Sequence, residues 1–337
     1  TRVKARVKAH ALKEFMNTKE KVVVMGHRLP DADSFGAAIG IYRAAKTLNK
    51  KAYIVIDNPT SSIIPLMNTF RDNQDYEADM FVNNHEAKEI MDDNTLLVVV
   101  DTNKPSITQC EDLLYMAKMI VVLDHHRQGS DTIRNSVLSY IEPYASSASE
   151  MVAEILQYFT EGIRIRNVEA DSIYAGIMID TDNFMQKTGV RTFEAAAFLR
   201  RCGADVTRVR KLFREDMNDY KARGETIRNA ELFRGQFAIS ECPSDYVDSP
   251  TVVGAQAANE LLNIVGVKAS FVLTEYKGVI YISARAIDEV NVQIIMERMG
   301  GGGHLNMAGC QLETVNMEEA RNLLKSTLTE MQDGGEI

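Results

Sequence analysis

Short apolar runs recur along the first two-thirds of the chain, separated by segments of helical period. KVVVMGH (21–27), KAYIVID (51–57), LLVVVD (96–101) and MIVVLDH (119–125) are apolar throughout rather than alternating. That is the signature of strands buried on both faces. SFGAAIGIYRAAKTL (34–48), between the first two, carries its apolar residues at helical spacing. The alternation predicts an α/β fold, a parallel sheet with helices on both faces. After Ser147 the pattern turns helical through SSASEMVAEILQYF, VEADSIYAGIMID and RTFEAAAFLRRCG, with Cys202-Gly203 reading as a C-cap. The polar helical stretch LFREDMNDYKARGETIRNAELF (212–233) then leads into a second region. Its strands read FAISEC, KASFVLTEYKG and VIYISARA, with a hairpin at Tyr276-Lys277-Gly278 and helices near 254–263, 290–299 and 316–332. The expected organisation is a helical lead-in (1–16), an α/β domain (17–215), a helical linker (216–232) and a smaller α/β domain (233–337).

Composition changes this picture little. Of 337 residues, 45% are hydrophobic and 25% charged, ordinary for a globular chain. No apolar run approaches the ~20 residues of a membrane span, so no membrane contact is expected of this segment. Cys110, Cys202, Cys242 and Cys310 lack any CxxC spacing and read as reduced cytoplasmic thiols rather than a disulfide or zinc framework. A net charge of −9 argues against a broad surface for long nucleic acid but leaves room for a small phosphorylated ligand. The chain opens on Thr1 with the basic helical segment TRVKARVKAHALKEFM, which reads as the continuation of something upstream.

Candidate chemistry gathers at strand ends. The first strand runs into His27, followed in its loop by Asp31 and Asp33; the third ends in Asp101; the fourth ends in Asp124, His125 and His126. In an open parallel sheet, ligands bind outside the carboxyl ends of the strands, so these groups are expected to converge. Crowded carboxylates repel unless protons or cations intervene. Oxygen ligands mixed with imidazoles suit manganese, iron or zinc better than calcium. Asp180, ending an apolar helix, joins the candidates because a lone acid there needs a partner. Taken singly, Asp33 or Ser34 reads as a helix N-cap, Asp101 as a loop acid and His125-His126 as a core pair. His10 and His85 read as surface residues. In the second region, ERMGGGGHLNMAGC (297–310) offers a glycine run that can present backbone N–H groups to an anion, as a nest or a helix start would. Ser283 and Arg285 stand at the end of a strand and Asn291 begins a helix.

Three motifs together, DHH at 124–126, GHRLPDADS at 26–34 and GGGGH at 300–304, resemble the DHH phosphoesterase family with its DHH-associated C-terminal domain, over nearly the whole chain. The lead helix, ASSASE (145–150) and DTDNF (180–184) resemble the cyclic-di-AMP phosphodiesterase subgroup. There the catalytic pair follows membrane helices, a PAS domain and a degenerate GGDEF domain, which implies a parent anchored at the cytoplasmic face of a membrane. The resemblance implies a cytoplasmic segment, with a homodimer compatible, and a cyclic dinucleotide as its partner. It implies two manganese ions, other divalent metals being compatible: His27, Asp31 and Asp101 on one, and Asp33, Asp101, His125 and Asp180 on the other. Asp124 would orient ligands and His126 would contact the phosphate or protonate the leaving oxygen. Arg285, Asn291, Gly301, Gly302, Gly303 and His304 would hold the nucleotide from across a cleft. The reaction implied is hydrolysis of cyclic di-AMP to 5′-pApA by two-metal activation of water. The alternatives are a short-oligonucleotide (pApA) or pAp hydrolase of the same family and, from another class, a non-catalytic nucleotide-sensing module. Met307 and Met185-Gln186-Lys187 depart from the family's pattern, at positions that bear on base recognition.

Overall fold

The computed structural model describes residues 2–287 and 290–337; Thr1, within the expected lead-in, and Asp288 and Glu289 lie outside the described residues. The chain divides into two compact units, one running to Arg214 and the other Glu215–Ile337.

The first unit is built on six strands, β1 (Lys21–Met25), β2 (Lys51–Val55), β3 (Phe81–Val82), β4 (Thr95–Val100), β5 (Ile120–Asp124) and β6 (Leu138–Ile141). All neighbours pair in parallel, in the order β3-β2-β1-β4-β5-β6. Among the described residues nine α-helices accompany them: α1 (Arg2–Asn17), α2 (Ala32–Thr47), α3 (Ile64–Arg71), α4 (Asn84–Ile90), α5 (Asp112–Met116), α6 (Ala148–Phe159), α7 (Asn167–Asp180), α8 (Val190–Arg201) and α9 (Val206–Leu212). The unbroken apolar runs have a direct cause. Val22, Val24, Leu96, Val98, Val100, Val121 and Leu123 point into the core formed with α1, α2, α6 and α7. Val23, Met25, Leu97, Val99, Ile120 and Val122 point into a second core on the opposite face, with α4 and α5. Alternate residues are buried on opposite faces, so no polar position remains.

The lead-in helix is part of this unit. Ala5, Ala9, Leu12 and Met16 recur at spacings of three and four and are fully buried, and α1 packs against α6 and β6. Strands β3 and β6, unforeseen, lie at the two sheet edges.

Three helices meet closely beside the sheet, where Ser149 Oγ fills the space between two glycines. A Cβ at Gly36 would lie 2.6 Å from Ser172 O and 2.7 Å from Ser149 Oγ; one at Gly176 would lie 2.2 Å from Ser149 Oγ. The approach fixes α2, which begins beside Asp33, against α7, which ends in Asp180.

The second unit contains α10 (Met217–Arg228), β7 (Glu231–Phe233), β8 (Phe237–Cys242), α11 (Pro250–Leu261), β9 (Ala269–Tyr276), β10 (Val279–Ala286), α12 (Val292–Arg298), β11 (Gly302–His304), β12 (Met307–Leu312) and α13 (Met317–Asp333). Its sheet runs β11-β12-β10-β9-β8-β7, with only β8 and β9 parallel. Lys277 and Gly278 both have positive φ, 52° and 78°, as a two-residue type I′ hairpin turn requires. The stretch 216–232 is not a linker: Ala222 is buried in a core with Ala238, Val253 and Ala257, and buried Ser240 Oγ donates to Thr226 O at 2.6 Å. The glycine run follows α12 rather than starting a helix, Gly300 N and Gly301 N donating to Glu297 O and Met296 O. It enters a hairpin, because a Cβ at Gly301 would lie 2.1 Å from Gly309 O and one at Gly303 2.5 Å from Met307 O.

Overpacking the three-helix junction should be costly. Gly36→Ala should lose about 1–3 kcal/mol, seen as a fall of several degrees in Tm. Gly224→Ala, with nothing within 4 Å of its Cβ, should lose none.

Candidate metal centre

The strand order reverses between β1 and β4, and that switch point is where open parallel sheets bind ligands. His27 follows β1 by two residues and Asp101 follows β4 directly. The loop carrying His27 is pinned by Arg28 N donating to Ile107 O at 2.7 Å and Gln109 N donating to Gly26 O at 2.8 Å. Asp101 donates its N–H to Leu123 O of β5 at 2.9 Å, yet its φ is +58°, left-handed and costly for a residue with a Cβ.

Asp101 presents one oxygen to each of two side-chain groups. Its Oδ2 lies 3.2 Å from His27 Nε2, which is 3.5 Å from Asp31 Oδ2. Its Oδ1 lies 3.3 Å from His125 Nε2, and that nitrogen is 3.7 Å from both Asp33 Oδ2 and Asp180 Oδ2. The sets His27–Asp31–Asp101 and Asp33–His125–Asp180 each bring their ligand atoms within 4.8 Å of one another. All six residues expected as ligands therefore lie together. His126 Nδ1 is 3.7 Å from Asp101 Oδ1, forming a third such set with His125. That nitrogen, however, is already engaged by Asp124 Oδ1 at 2.8 Å.

The helix N-cap is Asp31 rather than Asp33 or Ser34: its Oδ1 accepts from Ser34 N at 2.9 Å, leaving Oδ2 for His27. Asp33, in the first turn, is buried and accepts from Ala148 N at 2.7 Å and Ser149 N at 2.8 Å, one amide per oxygen. Asp124 is fully buried and accepts from Asn103 Nδ2 at 2.5 Å and His126 N at 3.1 Å. Asn103 and the α6 amides went unforeseen. An asparagine two residues past Asp101 is a faint signal, and a backbone N–H leaves none. After Asp180, three consecutive non-glycine residues, Asp182, Asn183 and Phe184, adopt positive φ of 47°, 57° and 66°.

The charges are far from their free-solution behaviour. Burial pushes Asp33 well up, with Asp101 and Asp180 adding to it, against the two amide donors. Burial likewise lifts Asp180 to about 6, His125 opposing and Asp101 reinforcing. Burial also works to raise Asp101, but His125 and His27 outweigh it and hold the carboxyl at about 2. The imidazoles respond in kind: against burial, hydrogen bonding to Asp101 and Asp31 lifts His27 to about 10, and Asp101 and Asp33 lift His125 to about 9. Asp101 Oδ1 is buried without a hydrogen-bond partner, a cost that a coordinated cation would remove. The donor set of carboxylates and imidazoles fits a divalent metal.

In the second unit, Arg285 pairs with Met307 across β10–β12, and Met307 pairs with His304 across β11–β12, placing the three in one row of a sheet face. Asn291 caps α12 by accepting from Gln293 N at 3.0 Å, and Val292 N donates to Leu305 O at the hairpin tip. Gly301, Gly302 and Gly303 therefore share one neighbourhood with Arg285, Asn291 and His304. Arg285 Nε is buried and unpartnered. His10 and His85 are exposed.

Residues 21–177 match the model of the DHH family, N-terminal domain, and residues 237–330 that of the DHHA1 domain. The cyclic-di-AMP phosphodiesterase GdpP of Bacillus subtilis (strain 168) is 43% identical over 99% of this chain and 51% of its own length. The cyclic-di-AMP phosphodiesterase PdeA of Listeria monocytogenes (serotype 1/2a, strain 10403S) is 40% identical over 97% and 50%. The chain thus spans about half the length of the curated relatives it matches. An exopolyphosphatase-related protein from Bacteroides fragilis shares the fold, with a TM-score of 0.81 at 21% identity, covering 97% of both chains. Among the described residues no helix is long and apolar enough to cross a membrane.

Asp180→Asn should separate stability from metal affinity. With its folded pKa raised to about 6, the carboxyl withdraws stability as pH rises through that value. The asparagine variant should therefore melt higher than wild type at pH 8 in chelator. Saturating manganese should stabilise the wild type, by about 2.7 kcal/mol per site at a hundredfold excess over Kd, read as a rise in Tm. It should raise the Tm of the variant less, because only the His27–Asp31–Asp101 set is left intact.

Proposed function

Since this chain belongs to the DHH family, with a DHHA1 domain following, we propose that it is a metal-dependent phosphodiesterase that opens cyclic di-AMP to 5′-pApA. The observation that carries the proposal is the pair of carboxylate–imidazole groups sharing Asp101 at the switch point of the sheet. His27, Asp31 and Asp101 would hold one manganese ion, and Asp33, Asp101, His125 and Asp180 the second. When bound, such a pair supplies Lewis acidity to the phosphoryl oxygens and makes water acidic enough to attack near neutral pH.

The chain's own groups account for the remaining steps. Asp124, fixed by Asn103, takes the Nδ1 side of His126 and so leaves Nε2 on a half-exposed ring to face the substrate. From there Nε2 gives its proton to the departing 3′ oxygen, while Asp124 keeps the imidazolium oriented. In the second unit, Arg285 brings a buried Nε in need of an acceptor, suited to a phosphate. Gly301, Gly302 and Gly303 keep the neighbouring hairpin low enough for a base to lie against it, and Asn291 and His304 supply polar contacts. Four free cysteines fit a reducing cytoplasm.

The test is hydrolysis of cyclic di-AMP and of linear pApA, with manganese and with chelator. Cleavage of cyclic di-AMP should require the metal, stop at pApA and vanish in Asp101→Ala. Consumption of pApA alone would replace this reading with that of a short-oligonucleotide hydrolase. His126→Ala should lower the cyclic di-AMP rate by about 10²–10⁴-fold while keeping the manganese-induced rise in Tm, which separates proton transfer from metal binding.

A further inference from the structure

A cavity of about 360 Å³ opens in the first unit, lined by Arg127, Gln128, Ile141, Pro143 and Tyr144. Its place follows from strand register. Ile141 pairs with Asp124 across β5–β6, and Glu142 N donates to Asp124 O at 3.0 Å. Arg127 directly follows His126. The cavity therefore lies at the carboxyl edge of the sheet, one strand over from the carboxylate–imidazole groups, and its size is at the lower end of the ~300–1,000 Å³ typical of small-molecule sites.

Its chemistry is unspent. Among the described residues, the Arg127 guanidinium makes no ion pair or hydrogen bond, and Tyr144 makes no hydrogen bond or ring contact. Tyr144 is 92% exposed. Glu142, between the lining residues Ile141 and Pro143, is engaged elsewhere: its Oε2 lies 3.5 Å from Lys4 Nζ and 4.0 Å from Arg191 Nη1. An unpaired guanidinium, a bare aromatic face and an apolar floor of Ile141 and Pro143 form the complement of a nucleotide: planar base on ring, phosphate on Arg fork.

We propose that this cavity holds the second nucleotide of a dinucleotide, the one whose phosphate is not being cut. Arg127 takes that phosphate and Tyr144 stacks its base. The inference rests on the reading of this chain as a dinucleotide phosphodiesterase, and assigns the half of the substrate lying away from the reacting phosphorus. Stacking on Tyr144 tolerates any base, so this subsite measures substrate length rather than base identity.

Calorimetric titration of pApA into the chelated protein tests the cavity without turnover. Wild type should bind. Arg127→Ala and Tyr144→Ala should each bind about tenfold more weakly or worse, in keeping with roughly 1–3 kcal/mol per stacked base at 1.4 kcal/mol per decade. Tyr144→Phe should bind as wild type does, and Arg127→Lys should fall between. Unchanged affinity in both alanine variants, or no binding by wild type, overturns the proposal. A parallel assay with manganese compares cyclic di-AMP with bis(p-nitrophenyl) phosphate, which has a cleavable diester but no second nucleotide. The alanine variants should lose kcat/KM only on the dinucleotide; equal loss on both substrates would mean that His126 had been disturbed instead, and the proposal would fall. If wild type cleaves the small diester but not cyclic di-AMP, the proposed function fails while the titration still decides the cavity.

Discussion

The first unit is organised around one electrostatic constraint: four carboxylates, Asp31, Asp33, Asp101 and Asp180, face two imidazoles within a few ångströms. Like charges this close cannot all ionise without compensation. The protein supplies several forms of it. His27 and His125 are held in the charged form by their acid neighbours. The first amides of α6 take both oxygens of Asp33, where the helix N-terminus favours an anion. Even so, the balance is incomplete, with Asp33 and Asp180 displaced upward and a buried oxygen of Asp101 left without a hydrogen bond. Such residual cost is what a binding site holds in reserve for a cation.

Backbone strain marks the same region. Asp101 turns left-handed at the end of β4, and the three residues from Asp182 do so beyond the end of α7. Both places immediately follow well-packed elements. β4 is buried along its whole length, and α7 is locked to α2 by the glycine–serine contact. Rigid packing thus sustains local conformations that the segments would not choose alone. The interior that makes the sheet legible is therefore also what holds its acids in place.

Legibility in the sequence tracks burial. The four apolar strands could be read because both of their faces are covered, leaving no polar interruption. β3 could not, having two residues, nor β6, whose Ser139 is exposed between buried neighbours. The strand-end acids and imidazoles were legible through the rule that parallel sheets bind ligands at their carboxyl edge. The supporting shell was not: the Ala148 and Ser149 amides carry no residue-specific signal, and Asn103 is one polar residue among many. The glycine run was visible but ambiguous, since glycine at close backbone contact in a hairpin and glycine in an anion nest look alike in sequence. The charged outward faces of the lead helix and of the 216–232 stretch suggest a lead-in and a linker; the buried stripe of Ala5, Ala9, Leu12 and Met16 shows the first to be a core element.

The edges of the two sheets share a feature with a different consequence. The first sheet ends in β3 and β6, of two and four residues, and the second in β11 and β7, of three each. A long, flat edge would offer a row of free N–H and C=O groups to any passing strand. Edges this short offer too few to template pairing with another chain. The flanking strands that bury least thus protect the folded units against aggregation, in a protein whose central strands, once unfolded, would be among the most adhesive segments it has.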